Sequence, residues 1–284
     1  MSLNSIQNTH PKVSIVIPCY NDDQYIEQSV QSALNQTYPN IEIIVVDDGS
    51  NTKTKEVLKK IEPKITQLIT QENQGQSTAR NVGIKASKGD FILVLDSDDY
   101  FEASFCKEAV AILQNSDEVK IVTCQSMLLY SDNTKSLYIP KGGNIKNFMY
   151  ANCALGTSMF KKNDWASVSG YDQSMRAGFE DWEFFIRLLS SEGTAFVIQK
   201  PLYTYRKREI STTAKANKVQ YDLLYYIFTK HSKLYQSDFD SFISFLINKI
   251  KLAETTQYKY KNKIDYKVGT FILKPLRVIK SFFK

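Results

Sequence analysis

Histidine is nearly absent: the 284 residues contain two, His10 and His231. Zinc hydrolases and Ser-His-Asp or Cys-His enzymes need a well-placed imidazole. His10 lies in a polar leader and His231 in a Lys- and Tyr-rich helical stretch, so chemistry here should rest on carboxylates. Cysteine is also sparse. Cys19, Cys106, Cys124 and Cys153 form no Cys-x-x-Cys pair, which argues against a zinc site and a disulfide framework and fits a reducing cytoplasm. Long apolar runs are missing. No stretch approaches the ~18 residues that span a bilayer, and Val13–Ile17, the first apolar run, is too short for a secretory signal core. The glycine motifs that cradle phosphates are missing as well. There is no GxxxxGK, and Pro18-Cys19-Tyr20 stands where a GxGxxG would follow the first strand, excluding a P-loop enzyme and a Rossmann oxidoreductase.

What is present is a regular alternation. Hydrophobic residues make up 43% of the chain, enough for one large domain or a domain with a tail. The 17 Tyr and 16 Phe are read mainly as core. Val13–Ile17, Ile41–Val46, Gln67–Thr70 and Phe91–Leu95 read as strands. Residues 22–35, 52–61 and 76–86 read as helices, with Asn21 and Asp22 as caps for the first. Such alternation predicts βαβ units and a mostly parallel sheet flanked by helices, an α/β fold whose ligands bind past the C-terminal strand ends. Those ends are polar: Pro18 to Asn21, Asp47 to Ser50, Glu72 to Gly75, and Asp96 to Asp99. Turn chemistry accounts for any one of them, but five carboxylates (Asp47, Asp48, Asp96, Asp98, Asp99) on one edge call for a cation. A hard divalent ion shared with substrate phosphates is the natural solution.

These segments resemble the family 2 inverting glycosyltransferases of GT-A fold. The resemblance is carried by Val13-Ser-Ile-Val-Ile-Pro-Cys-Tyr-Asn21, Ser32-Ala-Leu-Asn-Gln-Thr-Tyr-Pro39, Ile44-Val-Val-Asp-Asp-Gly-Ser50, Asn73-Gln-Gly-Gln-Ser-Thr-Ala-Arg-Asn81 and Gly89-Asp-Phe-Ile-Leu-Val-Leu-Asp-Ser-Asp-Asp99. It is strong from about residue 12 to 105 and extends to about 215. The resemblance implies a donor site of Pro18, Tyr20, Asp47, Asp48, Arg80, Asp96, Asp98 and Arg208. Within it Tyr20 lies against the base, Asp48 (or Asp47) accepts from the base ring, Arg80 reaches the diphosphate, and Asp96 holds ribose or sugar. It implies Mn²⁺ or Mg²⁺ on Asp98 with Asp99 nearby. It also makes Gly178-Phe-Glu-Asp-Trp-Glu183 the acceptor side. There Asp181 is the general base, Glu180 the reserve, and Trp182 an acceptor platform. Without the resemblance, these acids are ordinary for a helix start, and Glu183 and Arg187 an i, i+4 surface pair.

The implied activity is inverting transfer from a nucleoside-diphosphate sugar, UDP by default, to a saccharide or lipid-linked acceptor in polysaccharide or cell-envelope glycan synthesis. A non-catalytic nucleotide-sugar-binding relative is the alternative. The chain departs from the family at Tyr205-Arg206-Lys207-Arg208-Glu209-Ile210-Ser211, where Arg208 replaces a His of many relatives. Arg cannot ligate a metal, and it is expected to contact the diphosphate as a lid.

The expected organisation is a flexible leader over 1–11, a catalytic domain over 12–215 (donor half 12–105, acceptor half 106–215), and a helical, basic extension over 216–284. Residues 217–252 read as helical and amphipathic, and 100–175 carry no chemical pattern. Residues 249–284 hold a net charge of +8 while the whole chain is +6, so the positive charge is local. With Phe271, Ile272 and Leu273 this segment reads as a surface-binding helix for the cytoplasmic face of a membrane, or as an ordinary docked helix. Nucleic acid is not expected as a partner, because acidic strand ends repel phosphates without a metal.

Overall fold

The computed structural model describes residues 10–208 and 212–281. Residues 1–9 of the expected leader and Glu209–Ser211 lie outside it. The chain divides into two compact units, Met1–Ile227 and Phe228–Lys284.

The first unit is built on a ten-stranded sheet, eight of whose strands run in the order β3-β2-β1-β4-β9-β6-β10-β5, with β7 beside β6 and β8 beside β10. Strands β1 (Val13–Cys19), β2 (Ile41–Asp47), β3 (Gln67–Thr70) and β4 (Phe91–Val94) are parallel. Helices α1 (Ile26–Leu34), α2 (Thr52–Ile61) and α3 (Gln76–Ala86) connect them. β1 and β4 are buried along their whole length, as expected of central strands covered on both faces. This half matches the alternation read from the sequence, except that α1 starts at Ile26 with Tyr25 at its N-cap, so Asn21 and Asp22 lie before the helix and do not cap it.

The second half turns antiparallel, so the sheet as a whole is mixed. β5 (Tyr100–Phe101) leads into α4 (Phe105–Asn115) and the long β6 (Val119–Leu129). β7 (Lys135–Tyr138) pairs with β6, and β8 (Gly143–Asn144) precedes the single turn α5 (Ile145–Phe148). β9 (Met159–Lys161) runs antiparallel to both β4 and β6 and joins the two halves, followed by α6 (Lys162–Ser167). α7 (Glu180–Leu189) buries Phe184, Phe185, Leu188 and Leu189. The last strand, β10 (Thr194–Arg206), lies parallel to β6 and antiparallel to β5.

Two features position the site. Cys19 pairs in register with Asp47, so β1 and β2 end level, and the Asp48 N–H donates to the Cys19 carbonyl at 2.9 Å. At the far end of β10, pairing of Thr204 with Tyr100 carries Arg206 to Arg208 back over the loop that follows β4.

Beyond β10 come α8 (Thr212–Lys218), α9 (Gln220–Lys230), α10 (Ser232–Ser237), α11 (Phe239–Lys261) and α12 (Ile264–Ser281). The second unit packs Phe228, Tyr235, Phe242 and Phe245 as an aromatic cluster, with centroids of Phe228 and Tyr235 4.9 Å apart. Ile264, Phe271 and Ile272 are exposed. No helix of the described residues is long and apolar enough to cross a membrane.

Candidate active site

The loop after β4, Leu95 to Asp99, is the centre of the site. Asp96 is partly exposed and accepts from Gln76 Nε2 and Arg80 Nη2, each at 2.8 Å. Arg80 itself is 2% exposed and sends its other terminal nitrogen to Glu180 Oε1 at 2.8 Å. Its Nε has no partner among the described residues. A guanidinium this buried and doubly paired is a structural bridge. Its two charge partners in this structure, Asp96 and Glu180, are both in the protein.

Asp98 accepts from Arg208 Nη1 at 2.8 Å, and the same nitrogen donates to Asp22 Oδ1 at 2.6 Å. Asp22 in turn accepts from Ser97 Oγ at 2.5 Å. Arg208 also lies over the Tyr25 ring, 5.2 Å from its centroid. Burial, then the neighbouring Asp96 charge, pushes the Asp98 carboxyl above its ordinary range, and the hydrogen bond from Arg208 pulls it back. The cation demanded by the clustered acids is thus supplied in part by Arg208, and in this structure its guanidinium meets carboxylates.

Asp99 behaves differently from Asp98. It is 1% exposed, accepts from the Tyr203 hydroxyl, and accepts from the Arg206 N–H at 2.6 Å. Burial lifts its pKa well above the carboxylate range. Asp99 anchors β10, with both oxygens facing protein donors. Among the described residues no three His, Cys, Asp or Glu side chains converge as metal ligands. Asp98 alone, with its side chain 23% exposed, fits a divalent ion that takes its remaining ligands from phosphates and water.

The residues expected on the base side are also partly committed within the protein. Tyr20 is 51% exposed and free to stack. Pro18 is buried within β1. Asp47 accepts from Ser50 N at 2.9 Å. Asp48 accepts from Gln71 Nε2, Asn73 Nδ2, Gln74 N and Gly75 N at 2.7 to 3.2 Å. Four donors meet its oxygens, so Asp48 builds the loop that leads into α3.

On the opposite side, Gly178 and Phe179 both adopt positive φ, 121° and 62°, and this left-handed reversal starts α7 with Glu180 and Asp181 in its first turn. Asp181 Oδ2 accepts from Asn152 Nδ2 at 2.9 Å. A Cβ at Gly156 would sit 2.7 Å from that same oxygen, so glycine is needed there to make room for it. Burial raises both carboxyl groups while Arg80 opposes, and Glu180 is pushed up to about 7. Trp182 is 5% exposed and donates from Nε1 to the Phe148 carbonyl at 2.6 Å. It is core, not a platform. Glu183 is wholly buried and Arg187 mostly so, so their pair is internal and not a surface one.

Asp22, Gln76, Asn152 and Gly156 were missed as site residues. Asp22 was read as a helix cap, and nothing local marks a lone Asn or Gly as facing a carboxylate 25 or more positions away.

With this geometry in place, the chain belongs to the glycosyltransferases of family 2: the family model described as "Glycosyl transferase family 2" matches residues 14–169. It is 43% identical over 93 residues to a glycosyltransferase of Haemophilus influenzae, covering 32% of this chain and 37% of that one. It is 29% identical over 213 residues to the minor teichoic acid biosynthesis protein GgaA of Bacillus subtilis, covering 69% of this chain and 47% of GgaA. The chain thus spans less than half the length of these relatives. In fold it is similar to S. aureus TarS 1-349 in complex with UDP-GlcNAc, with a TM-score of 0.61, 22% identity, and coverage of 72% of this chain and 61% of TarS 1-349.

Proposed function

We propose that this chain transfers a sugar from a nucleoside-diphosphate donor to an acceptor hydroxyl with inversion, in the synthesis of a cell-envelope glycan. The observation that carries the reading is the Arg80 bridge. One buried guanidinium holds Asp96 of the donor loop and Glu180 beside Asp181, at 2.8 Å each. Two carboxylate sites on separate elements are thereby fixed against one another, as a single displacement requires.

Asp181 takes the acceptor proton as the hydroxyl attacks the anomeric carbon. Its Oδ2 is oriented by Asn152. The nucleoside diphosphate leaves past the Asp96–Asp98 loop, with Tyr20 against the base, Asp96 toward ribose or sugar, and Arg208 toward the diphosphate. Mn²⁺ or Mg²⁺ on Asp98 would supply charge neutralisation for the leaving group. UDP is the proposed nucleotide, supported by the TarS complex with UDP-GlcNAc. The basic segment 249–284, with exposed Ile264, Phe271 and Ile272, is proposed to bring the protein to the cytoplasmic membrane surface, where a lipid-linked acceptor would sit.

The test is a pair of measurements on Asp181→Asn. UDP binding with Mn²⁺, followed by thermal shift, is expected to persist. Release of UDP from UDP-GlcNAc or UDP-glucose in the presence of acceptor extracts is expected to vanish. A variant that transfers sugar at the wild-type rate sinks the assignment of the base. A folded wild-type protein that binds no nucleotide with any metal sinks the enzyme.

A further inference from the structure

Beside the donor loop lies a cleft of roughly 460 Å³, formed by the segment entering α1, the end of β6 and the end of β10. Its lining includes Tyr25, Tyr130, Asn133, Arg206, Lys207 and Arg208, and it contains three cationic side chains and no carboxylate. Only Arg208 is offset, by Asp22 and Asp98. Arg206 is held by neutral acceptors, with Nε on the Asp98 carbonyl at 2.9 Å and Nη2 on Gln28 Oε1 at 2.8 Å. Its guanidinium stacks 4.4 Å from the Tyr25 centroid. Lys207 forms no ion pair with a described residue, and its ammonium rests 4.5 Å from the Tyr205 ring centroid. Two of the cationic residues that line this space therefore have no carboxylate partner among the described residues.

Unbalanced cations in a concave, partly desolvated site select an oxyanion, and a fixed guanidinium favours one with several oxygens. The remaining lining offers hydroxyl and amide groups from Tyr130, Ser131 and Asn133. The space exceeds a bare phosphate and suits a phosphorylated sugar or polyol unit. Tyr130, Ser131 and Asn133 are exposed on the rim, a polar edge suited to a soluble group.

We propose that this cleft binds a phosphate group carried by the acceptor, with Lys207 and Arg206 as its cationic contacts. The assignment to the acceptor rests on the glycosyl-transfer reading, whereas the oxyanion site stands by itself. A phosphate-bearing polymer or saccharide would thus lie with its charge beside the end of β10.

The experiment titrates the full chain with glycerol 3-phosphate by calorimetry, with glycerol as the uncharged control, before and after saturation with UDP and Mn²⁺. Binding in the millimolar range is expected for glycerol 3-phosphate alone, weakened by salt and retained when UDP is bound. Lys207→Glu is expected to weaken it at least tenfold while leaving UDP affinity within twofold. Equal affinity in Lys207→Glu, or no binding by the wild type, overturns the site. Displacement of glycerol 3-phosphate by UDP identifies the donor as the phosphate source and overturns the acceptor assignment. Lys207-dependent binding to phosphatidylglycerol vesicles without binding of glycerol 3-phosphate assigns the cleft to a lipid headgroup and also overturns it. Loss of UDP binding alone strikes the glycosyl-transfer reading and leaves the oxyanion site standing.

Discussion

Asp181 is tuned by what surrounds its two oxygens. Burial raises its pKa, and the Arg80 charge lowers it. Asn152 donates to Oδ2 and so favours the ionised form. Asn152→Ala removes that donor, and the pKa of Asp181, the proposed base, rises further. The acidic limb of the kcat/KM profile should therefore move to higher pH, with the plateau reduced about tenfold by loss of orientation. An unmoved limb would show that Asn152 does not touch the working base. At Asp98 the resident partner is Arg208, 2.8 Å away. A divalent ion on Asp98, as proposed, would compete with this guanidinium for one carboxylate. Arg208→Ala should tighten Mn²⁺ binding several-fold, read as loss of the free-Mn²⁺ electron paramagnetic resonance signal, while Asp98→Ala should abolish it. Unchanged Mn²⁺ affinity in Arg208→Ala would separate the metal from Asp98.

Among the elements, β10 and α7 are the ones the site depends on. The end of β10 is pinned because Asp99 receives both the Tyr203 hydroxyl and the Arg206 N–H. Tyr203→Phe leaves a buried carboxyl short of one donor, which costs about 1–3 kcal/mol. The lost midpoint in urea unfolding should be accompanied by weaker nucleotide binding, since Arg208 follows directly on that strand. The start of α7 depends on Arg80, which ties α3 to Asp96 and Glu180. Removing one member of a buried ion cluster strands the others. Arg80→Met is expected to cost about 3–5 kcal/mol, and adding Glu180→Gln to recover part of it. Additive losses in the double variant would mean that the two residues are not coupled.

At the scale of the whole molecule, four carboxyl groups of the site share an upward shift: Asp98 and Asp99 in the loop after β4, and Glu180 and Asp181 in the first turn of α7. A carboxyl with a raised folded-state pKa contributes stability that is present below its unfolded value and lost as pH rises through its folded value. The window opens above the ordinary carboxylate range and extends to about 7, where Glu180 titrates. Asp117 and Asp132 are shifted down by surface donors and act below that window. The ligand-free protein should accordingly melt roughly 3–10 °C higher at pH 5.5 than at pH 8, and Mn²⁺ with UDP should narrow the gap. A flat melting profile across this range would mean that the edge is already neutralised in solution.

The sequence by itself determined the parallel half of the sheet, because continuous β-branched runs and amphipathic helical spacing are local properties. Strand β3 and helices α2 and α3 fall where that spacing puts them. It also determined that the polar strand ends share one edge, and the Asp-Ser-Asp-Asp run marked the donor loop. Only the tertiary structure decided what each acid does. Asp96, Asp98 and Asp99 are near neighbours in sequence, yet one meets Arg80, one Arg208 and one Tyr203, from α3, the chain after β10, and β10 itself. Whether Trp182 is a platform or core was open from the sequence; in the fold it is buried and its N–H goes to Phe148, 34 positions earlier. The antiparallel joint at β9 and the role of Asn152 were equally invisible. The physical reason is the same throughout. Periodicity and turn chemistry act between residues a few positions apart, whereas desolvation and charge pairing depend on which distant side chains the fold brings within about 3 Å.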